Sequence, residues 1–168
     1  MKATSIPAAE AEFRNTGVVT GTKKYVLRPF TAAIPGTDER VEFVECTPSS
    51  GDRTYFYNEA TPKKRIVLHF TAGYLKWDIA TLTQPGNHVS TPFVLARDGT
   101  IYNLFDSRKW SYHLGKGAAG GNAAMSKSGV AIEVCNIGWL TRDGDRLLTY
   151  QSKPSAPDVY CRADEKDF

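Results

Sequence analysis

Two short apolar runs constrain the fold of this chain more than any other feature. Residues 65–70 are RIVLHF, and residues 130–134 are VAIEV. Runs of this length with few polar residues are typical of strands that are covered on both faces of a sheet. The first run therefore predicts a central strand. The second predicts another buried strand, which carries one carboxylate, Glu133.

The remaining segments predict further elements around these two strands. Asp98-Gly99 lies between two β-rich segments in TPFVLARDGTIYNLF (91–105), which is a strong hairpin signal. LKWDIATLTQ (75–84) has the apolar spacing of a short amphipathic helix. Strands are also expected at 24–30, 40–46 and 53–58, a short helix at 7–14, a second hairpin at 141–150, and irregular chain at 115–129 and 151–168. The predicted fold class is α/β, with a mixed central β-sheet and flanking helices.

Length and charge exclude several classes of protein. The 168 residues suffice for one domain with a sizeable core. The net charge is +3, and the basic residues are scattered, so no nucleic-acid partner is expected. No stretch approaches the roughly 18 apolar residues of a membrane span. Residues 1–13 lack the apolar region of about 7–15 residues that a signal peptide needs. The sequence leaves open whether the protein acts in the cytoplasm or is released by lysis.

His69 closes the first apolar run and precedes the small-residue turn Thr71-Ala72-Gly73. A histidine in a strand is most often a hydrogen-bonded core residue. At a strand end beside a tight turn, however, its ring can reach past the sheet edge, where ligands collect. Histidine is also the commonest metal ligand. His69 is therefore a candidate metal ligand, with a core role as the alternative.

Glu133 is the second unusual residue. Strict alternation places it on the same face as Ala131 and Cys135, whose small side chains leave room for a ligand. A partly buried glutamate has a raised pKa and can exchange protons near neutral pH. The alternative is a carboxylate that faces solvent. His113, in KWSYHLGKG, is either a packing residue or part of a site, and His88 is expected at the surface.

Four segments in this order resemble the zinc-dependent N-acetylmuramoyl-L-alanine amidase family, which includes phage lysozymes of the amidase type and the peptidoglycan recognition proteins. The segments are IVLHFTAG, TPFVLARDGTIYNLF, WSYHLG and GVAIEVCNIG. The resemblance covers residues 64–140 and implies an amidase-like fold for residues 61–168. Residues 1–60 would be an N-terminal extension of strands and loops, packed on the same domain.

The resemblance also implies a role for each candidate residue. His69 corresponds to the first zinc ligand and Glu133 to the general base, while His113 lines the substrate groove. Thr71, Trp110 and Asn136 are expected to contact the substrate as well. Zinc lowers the pKa of its bound water to about 7 and polarises a carbonyl. The implied reaction is hydrolysis of the amide between N-acetylmuramic acid and L-alanine of peptidoglycan. The alternative is a peptidoglycan-binding module that has lost the metal.

The sequence departs from the family at the remaining zinc ligands. The family takes a His and a Cys or Asp from a loop after a long C-terminal helix, and residues 141–168 resemble neither. Because a catalytic zinc needs three protein ligands, we expect the others beyond Phe168 or on a second chain. The 168-residue chain alone should then bind zinc weakly and be inactive, with one sheet face bare. The alternative is a site rebuilt from His69 and His113 with Cys161, Asp158 or Asp164.

Overall fold

The computed structural model describes residues 5–150 and 152–165. Three helices lie in this part of the chain: α1 (Ile6–Thr16), α2 (Leu75–Leu82) and α3 (Asn122–Ser128). The strands are β1 (Tyr25–Ala33), β2 (Arg40–Pro48), β3 (Arg65–Phe70), β4 (Phe93–Leu95), β5 (Ile101–Asn103), β6 (Gly129–Val134), β7 (Leu140–Asp143), β8 (Arg146–Thr149) and β9 (Val159–Arg162).

Strands β1 to β6 form one mixed sheet in the order β1-β2-β5-β4-β6-β3. The β1–β2 and β4–β5 pairs are antiparallel, whereas β2–β5, β4–β6 and β3–β6 are parallel. The N-terminal strands therefore belong to the same sheet as the strands at 65–134. A mixed α/β architecture with a mixed central sheet, as the sequence predicted, is observed.

The two faces of this sheet differ sharply in burial. On one face, Val94 and Tyr102 are at most 1% exposed and pack with α1 and α2; the Phe13 ring lies 5.8 Å from the Tyr102 ring. We call this the covered face. On the other face of β3, Ile66, Leu68 and Phe70 are 69%, 68% and 61% exposed. We call this the open face. The core of the domain therefore lies on the covered face.

The predicted central position of the strand at 65–70 is wrong. Among the strands that the structure describes, β3 is the last of the sheet and pairs with β6 alone. Its apolar residues at 66, 68 and 70 point to the open face, so the strand is covered on one face only. An apolar run indicates side chains that favour burial, but it does not determine the order of the strands in the sheet. Here β4 pairs with one side of β6 and β3 with the other, so β3 is left at the edge.

Three other predictions about local structure are also corrected. Residues 53–58 form turns rather than a strand, and their aromatic rings Tyr55 and Phe56 are buried in the core from a loop. Alanine favours helix, and the segment expected to be irregular at 115–129 contains α3. Within 151–168, β9 pairs with β8, and β7, β8 and β9 form a second sheet.

Several predicted elements are confirmed. α1 and α2 occupy the expected helical segments, and β1 and β2, which lie at the expected strands 24–30 and 40–46, pair antiparallel. The hairpin at Asp98-Gly99 joins β4 to β5, and Gly99 has a φ of 87°, which glycine adopts without strain.

Cys46, Cys135 and Cys161 are buried and free. Within the residues described, no helix has the length and apolar character needed to cross a membrane.

Candidate functional site

Strand register brings two of the candidate residues side by side. β3 and β6 run parallel, and His69 is opposite Glu133 in their pairing. Since residues paired across a sheet have side chains on the same face, both point to the covered face, near the carboxyl ends of the two strands. Glu133 is also opposite Val94 of β4, which is fully buried. The carboxylate therefore enters the region where the sheet meets the core.

His113 completes a cluster with these two residues. Its Nδ1 atom lies 3.0 Å from Nε2 of His69, with the two rings at 76° to each other. The backbone N–H of His113 donates to the Ser126 hydroxyl at 3.4 Å. A Cβ atom at Gly129, the first residue of β6, would lie 3.2 Å from Nε2 of His113. The glycine therefore leaves space for the imidazole against the strand.

Burial keeps both imidazoles neutral at physiological pH. It lowers the pKa of His69, and together with the neighbouring imidazole of His69, which disfavours a second positive charge, it lowers the pKa of His113 to about 4. A buried imidazole loses the hydration that stabilises its cation, which explains this direction. The neutral form has a free lone pair on one ring nitrogen, and this is the form that binds metal ions.

Glu133 has the opposite shift. Burial, assisted by the neighbouring carboxylate of Asp78, raises the pKa of Glu133 to about 7. The Oε2 atom of Glu133 and the Nε2 atom of His113 are both buried without a hydrogen-bond partner among the described residues. Buried polar atoms in native proteins nearly always have a partner. Both atoms are therefore available for hydrogen bonds to a ligand.

Asp78 is a member of the site that the sequence analysis missed. It lies on α2, and its Oδ2 atom accepts a hydrogen bond from the Cys135 thiol at 3.3 Å. Burial raises the pKa of Asp78, and burial with the adjacent carboxylate raises that of the Cys135 thiol. The signal was present in the sequence, because Asp78 shares the helical spacing of Leu75, Ile79 and Leu82, the apolar stripe of α2.

Thr71 and Asn136 occupy the loops that follow β3 and β6. The Asn136 carbonyl accepts a hydrogen bond from Gly73 N–H at 2.8 Å and one from the Thr71 hydroxyl at 3.3 Å. The Asn136 side chain in turn accepts a hydrogen bond from Gly138 N–H at 2.7 Å. These bonds fix the two loops to each other at the carboxyl ends of the strands, beside His69 and Glu133.

Trp110 and His88 lie in a separate aromatic cluster. Trp110 is 6% exposed, stacks on Tyr57 with centroids 4.2 Å apart, and donates its indole N–H to Glu59. This packing leaves little of the ring for the substrate contact that the resemblance implied. His88, expected at the surface, is half-buried and stacks on the other side of the same tyrosine at 4.1 Å.

The donor set fits zinc in part. His69 and His113 offer two neutral ring nitrogens, which are ordinary zinc ligands. Within residues 5–150 and 152–165, however, no group of three His, Cys, Asp or Glu side chains is arranged to hold a metal. Cys161 lies on β9 in the second sheet. Asp158 accepts hydrogen bonds from Tyr74 and Thr149, and Asp164 accepts one from Arg162. The described residues therefore do not form the rebuilt three-ligand site.

Comparison of the chain with protein-family models, with curated proteins and with solved structures finds no match.

Proposed function

We propose that this protein is a zinc-dependent N-acetylmuramoyl-L-alanine amidase with an amidase-like fold over residues 61–168. One observation carries the proposal: His69 and Glu133 lie side by side at the ends of two parallel strands, with a second imidazole 3.0 Å from the first. The four sequence segments that resemble the family supply these three residues. The neutral histidines and the carboxyl group with a pKa of about 7 suit hydrolysis of an amide.

Glu133 would act as the general base. Its near-neutral pKa lets it take a proton from the attacking water and deliver that proton to the departing L-alanine nitrogen. Bound zinc would polarise the carbonyl of the substrate amide and lower the pKa of a bound water. His69 and His113 are the residues that would hold it, with a third ligand that the described residues do not supply. His113 can alternatively orient the substrate carbonyl from the same position.

The loops after β3 and β6 would frame the substrate. Thr71 and Asn136 lie at the strand ends, where their hydrogen bonds hold the loop backbones rigid. Rigid placement of the reacting groups matters because small displacements from a productive geometry cost large factors in rate. The products would be the lactyl carboxylate of muramic acid and a free stem peptide.

The test is a titration of the metal-free protein with zinc, followed by an assay of amine release from a muramoyl peptide. His69→Ala is expected to lose zinc binding and amine release together, while the far-ultraviolet circular dichroism stays unchanged. The half-buried ring is not part of the hydrophobic core, so its loss leaves the fold intact. Hydrolysis by His69→Ala at the wild-type rate would show that His69 is not a zinc ligand.

A peptidoglycan-binding module without metal is the second candidate. The absence of a three-donor group among the described residues favours it, because a catalytic zinc needs three protein ligands. The same experiment separates the two functions. Saturable binding of a muramoyl peptide by a protein that binds no zinc and releases no amine would identify the binding module. Zinc-dependent amine release would identify the enzyme.

A further inference from the structure

A large cavity begins where the strands of the candidate site end. Its volume is about 1090 Å³, which lies at the upper end of the range for small-molecule sites. Phe70, which follows His69, and Cys135, two residues after Glu133, form part of its wall. The loop 136–139, residues of α1, the β4–β5 turn and Tyr160 of β9 form the remainder. The cavity therefore begins at the ends of the two strands that carry His69 and Glu133, and residues of α1 and β9, which lie outside the resemblance to the amidases, complete its wall.

The wall of this cavity presents an aromatic surface to solvent. Trp139 is 64% exposed and Phe70 is 61% exposed, which is unusual for two large apolar rings around one opening. The Trp139 ring contacts Tyr150, with centroids 4.7 Å apart. Gly138, which has a φ of 76°, packs closely against Ala72, where a Cβ would approach the Ala72 Cβ to 2.9 Å. The turn therefore holds the tryptophan in a defined position.

The charged groups of the cavity neutralise one another. Arg97 pairs with Glu10 at 2.5 Å and also donates to the Gly73 carbonyl at 3.0 Å. Arg14 pairs with Asp98 in the same wall. A site for an anionic ligand would present an arginine that is not already paired with a carboxylate. The cavity instead combines exposed aromatic rings with neutralised polar groups, which suits an uncharged ligand with one apolar face and many hydroxyl groups.

We propose that this cavity binds a pyranose ring of the glycan strand, with Trp139 as the surface on which the ring stacks. The inference rests on the proposed function, in which the scissile amide joins a sugar to a peptide. When that amide lies beside His69 and Glu133, one half of the substrate extends over the strand ends into the cavity. The peptide half ends in a carboxylate and would meet no unpaired cation there. The sugar half matches the aromatic wall.

Calorimetric titration of the full chain with a tetrasaccharide of N-acetylglucosamine tests this subsite. Wild-type protein is expected to bind it, and Trp139→Ala to bind roughly fivefold to tenfold more weakly, because it loses one aromatic contact. Trp139→Phe, which keeps a ring, should lie between them. Trp77→Ala is the matched control: this tryptophan is 46% exposed on α2 and is not part of the cavity wall. It should bind as the wild type does.

Two outcomes would overturn the subsite: no binding of the tetrasaccharide by the wild type, or equal affinities for Trp139→Ala and Trp77→Ala. Because Trp139 is exposed, its substitution leaves the core intact, and circular dichroism of each variant verifies this. Amine release from a muramoyl peptide, measured on the same samples, separates the two proposals. Tetrasaccharide binding without zinc binding or amine release contradicts only the amidase, and zinc-dependent amine release without tetrasaccharide binding contradicts only the subsite.

Discussion

Both faces of the six-stranded sheet carry apolar side chains, but the two faces have different surroundings. Val94 and Tyr102 on the covered face are at most 1% exposed, whereas Ile66, Leu68 and Phe70 on the open face are more than 60% exposed. In β3 the two environments alternate from one residue to the next. The comparison shows that apolar character alone does not establish burial. A helix or loop must also lie over the residue.

The titratable groups of the candidate site lie on the covered side. His69 and Glu133 point there from the strands, and Asp78 approaches from α2. Burial on that side lowers the pKa of the histidine and raises the pKa values of both carboxyl groups. A carboxylate on the open face would keep its hydration and its ordinary acidity. The covered face therefore provides the desolvation that the proposed chemistry requires.

The largest expected difference between the faces is in activity. Glu133→Gln should retain zinc but lower kcat about 10²–10⁴-fold, because an amide cannot accept the proton. Glu45→Gln is the matched control, since Glu45 is partly exposed on the open face. Its kcat should not change. A loss of less than about tenfold in Glu133→Gln with zinc bound would assign Glu133 a structural role.

The next effect is on stability. Ile79→Ala removes a fully buried side chain of α2 from the core on the covered face. The free energy of unfolding should fall by about 2–5 kcal/mol, which is the usual cost of such a cavity. Urea denaturation followed by circular dichroism measures it. A loss below about 1 kcal/mol would mean that α2 packs less tightly than the structure indicates.

The pKa of Asp78 differs between the folded protein, where the carboxyl group is buried, and the unfolded protein, where it is hydrated. Its pKa is raised above the ordinary value of 3.8 in the folded state, mainly by burial. Folding therefore disfavours the charged form. The penalty is absent below pH 3.8 and grows as the pH rises through the folded-state pKa.

Asp78→Asn removes this titration. The free energy of unfolding of the wild type, relative to that of Asp78→Asn, should therefore decrease as the pH rises from 3.8 to the folded-state pKa of Asp78. Above that pKa the difference should level off. Urea denaturation at a series of pH values measures the difference. A difference that is independent of pH would show that Asp78 is hydrated in the folded protein.

The smallest effect is expected on the open face. Leu68→Ala removes a side chain that is 68% exposed, so the free energy of unfolding should change by no more than about 0.5 kcal/mol. Its contrast with Ile79→Ala is the direct measure of the difference between the faces. A loss comparable to that of Ile79→Ala, and dependent on protein concentration, would show that this face is covered in solution.

Local sequence patterns predicted the elements that depend on near neighbours along the chain. α1 and α2 follow from apolar spacing, and the β4–β5 hairpin follows from Asp98-Gly99, because these structures form between residues close in sequence. The alternation in β6 placed Ala131 and Cys135 on one face, and in the structure both are buried. The strand at 53–58 failed because aromatic residues suit a strand and a packed loop equally well.

The sequence by itself determined which residues could carry chemistry: a histidine at the end of an apolar strand, a carboxylate within another, and a histidine among aromatic residues. Only the tertiary structure decided that these three meet, because parallel pairing of β3 with β6 joins residues 64 positions apart and the contact between His69 and His113 spans 44. It also decided that β3 lies at the sheet edge and that Asp78 approaches Glu133. Neither is encoded in a local pattern, since strand order and helix placement depend on contacts between segments that are far apart in the sequence.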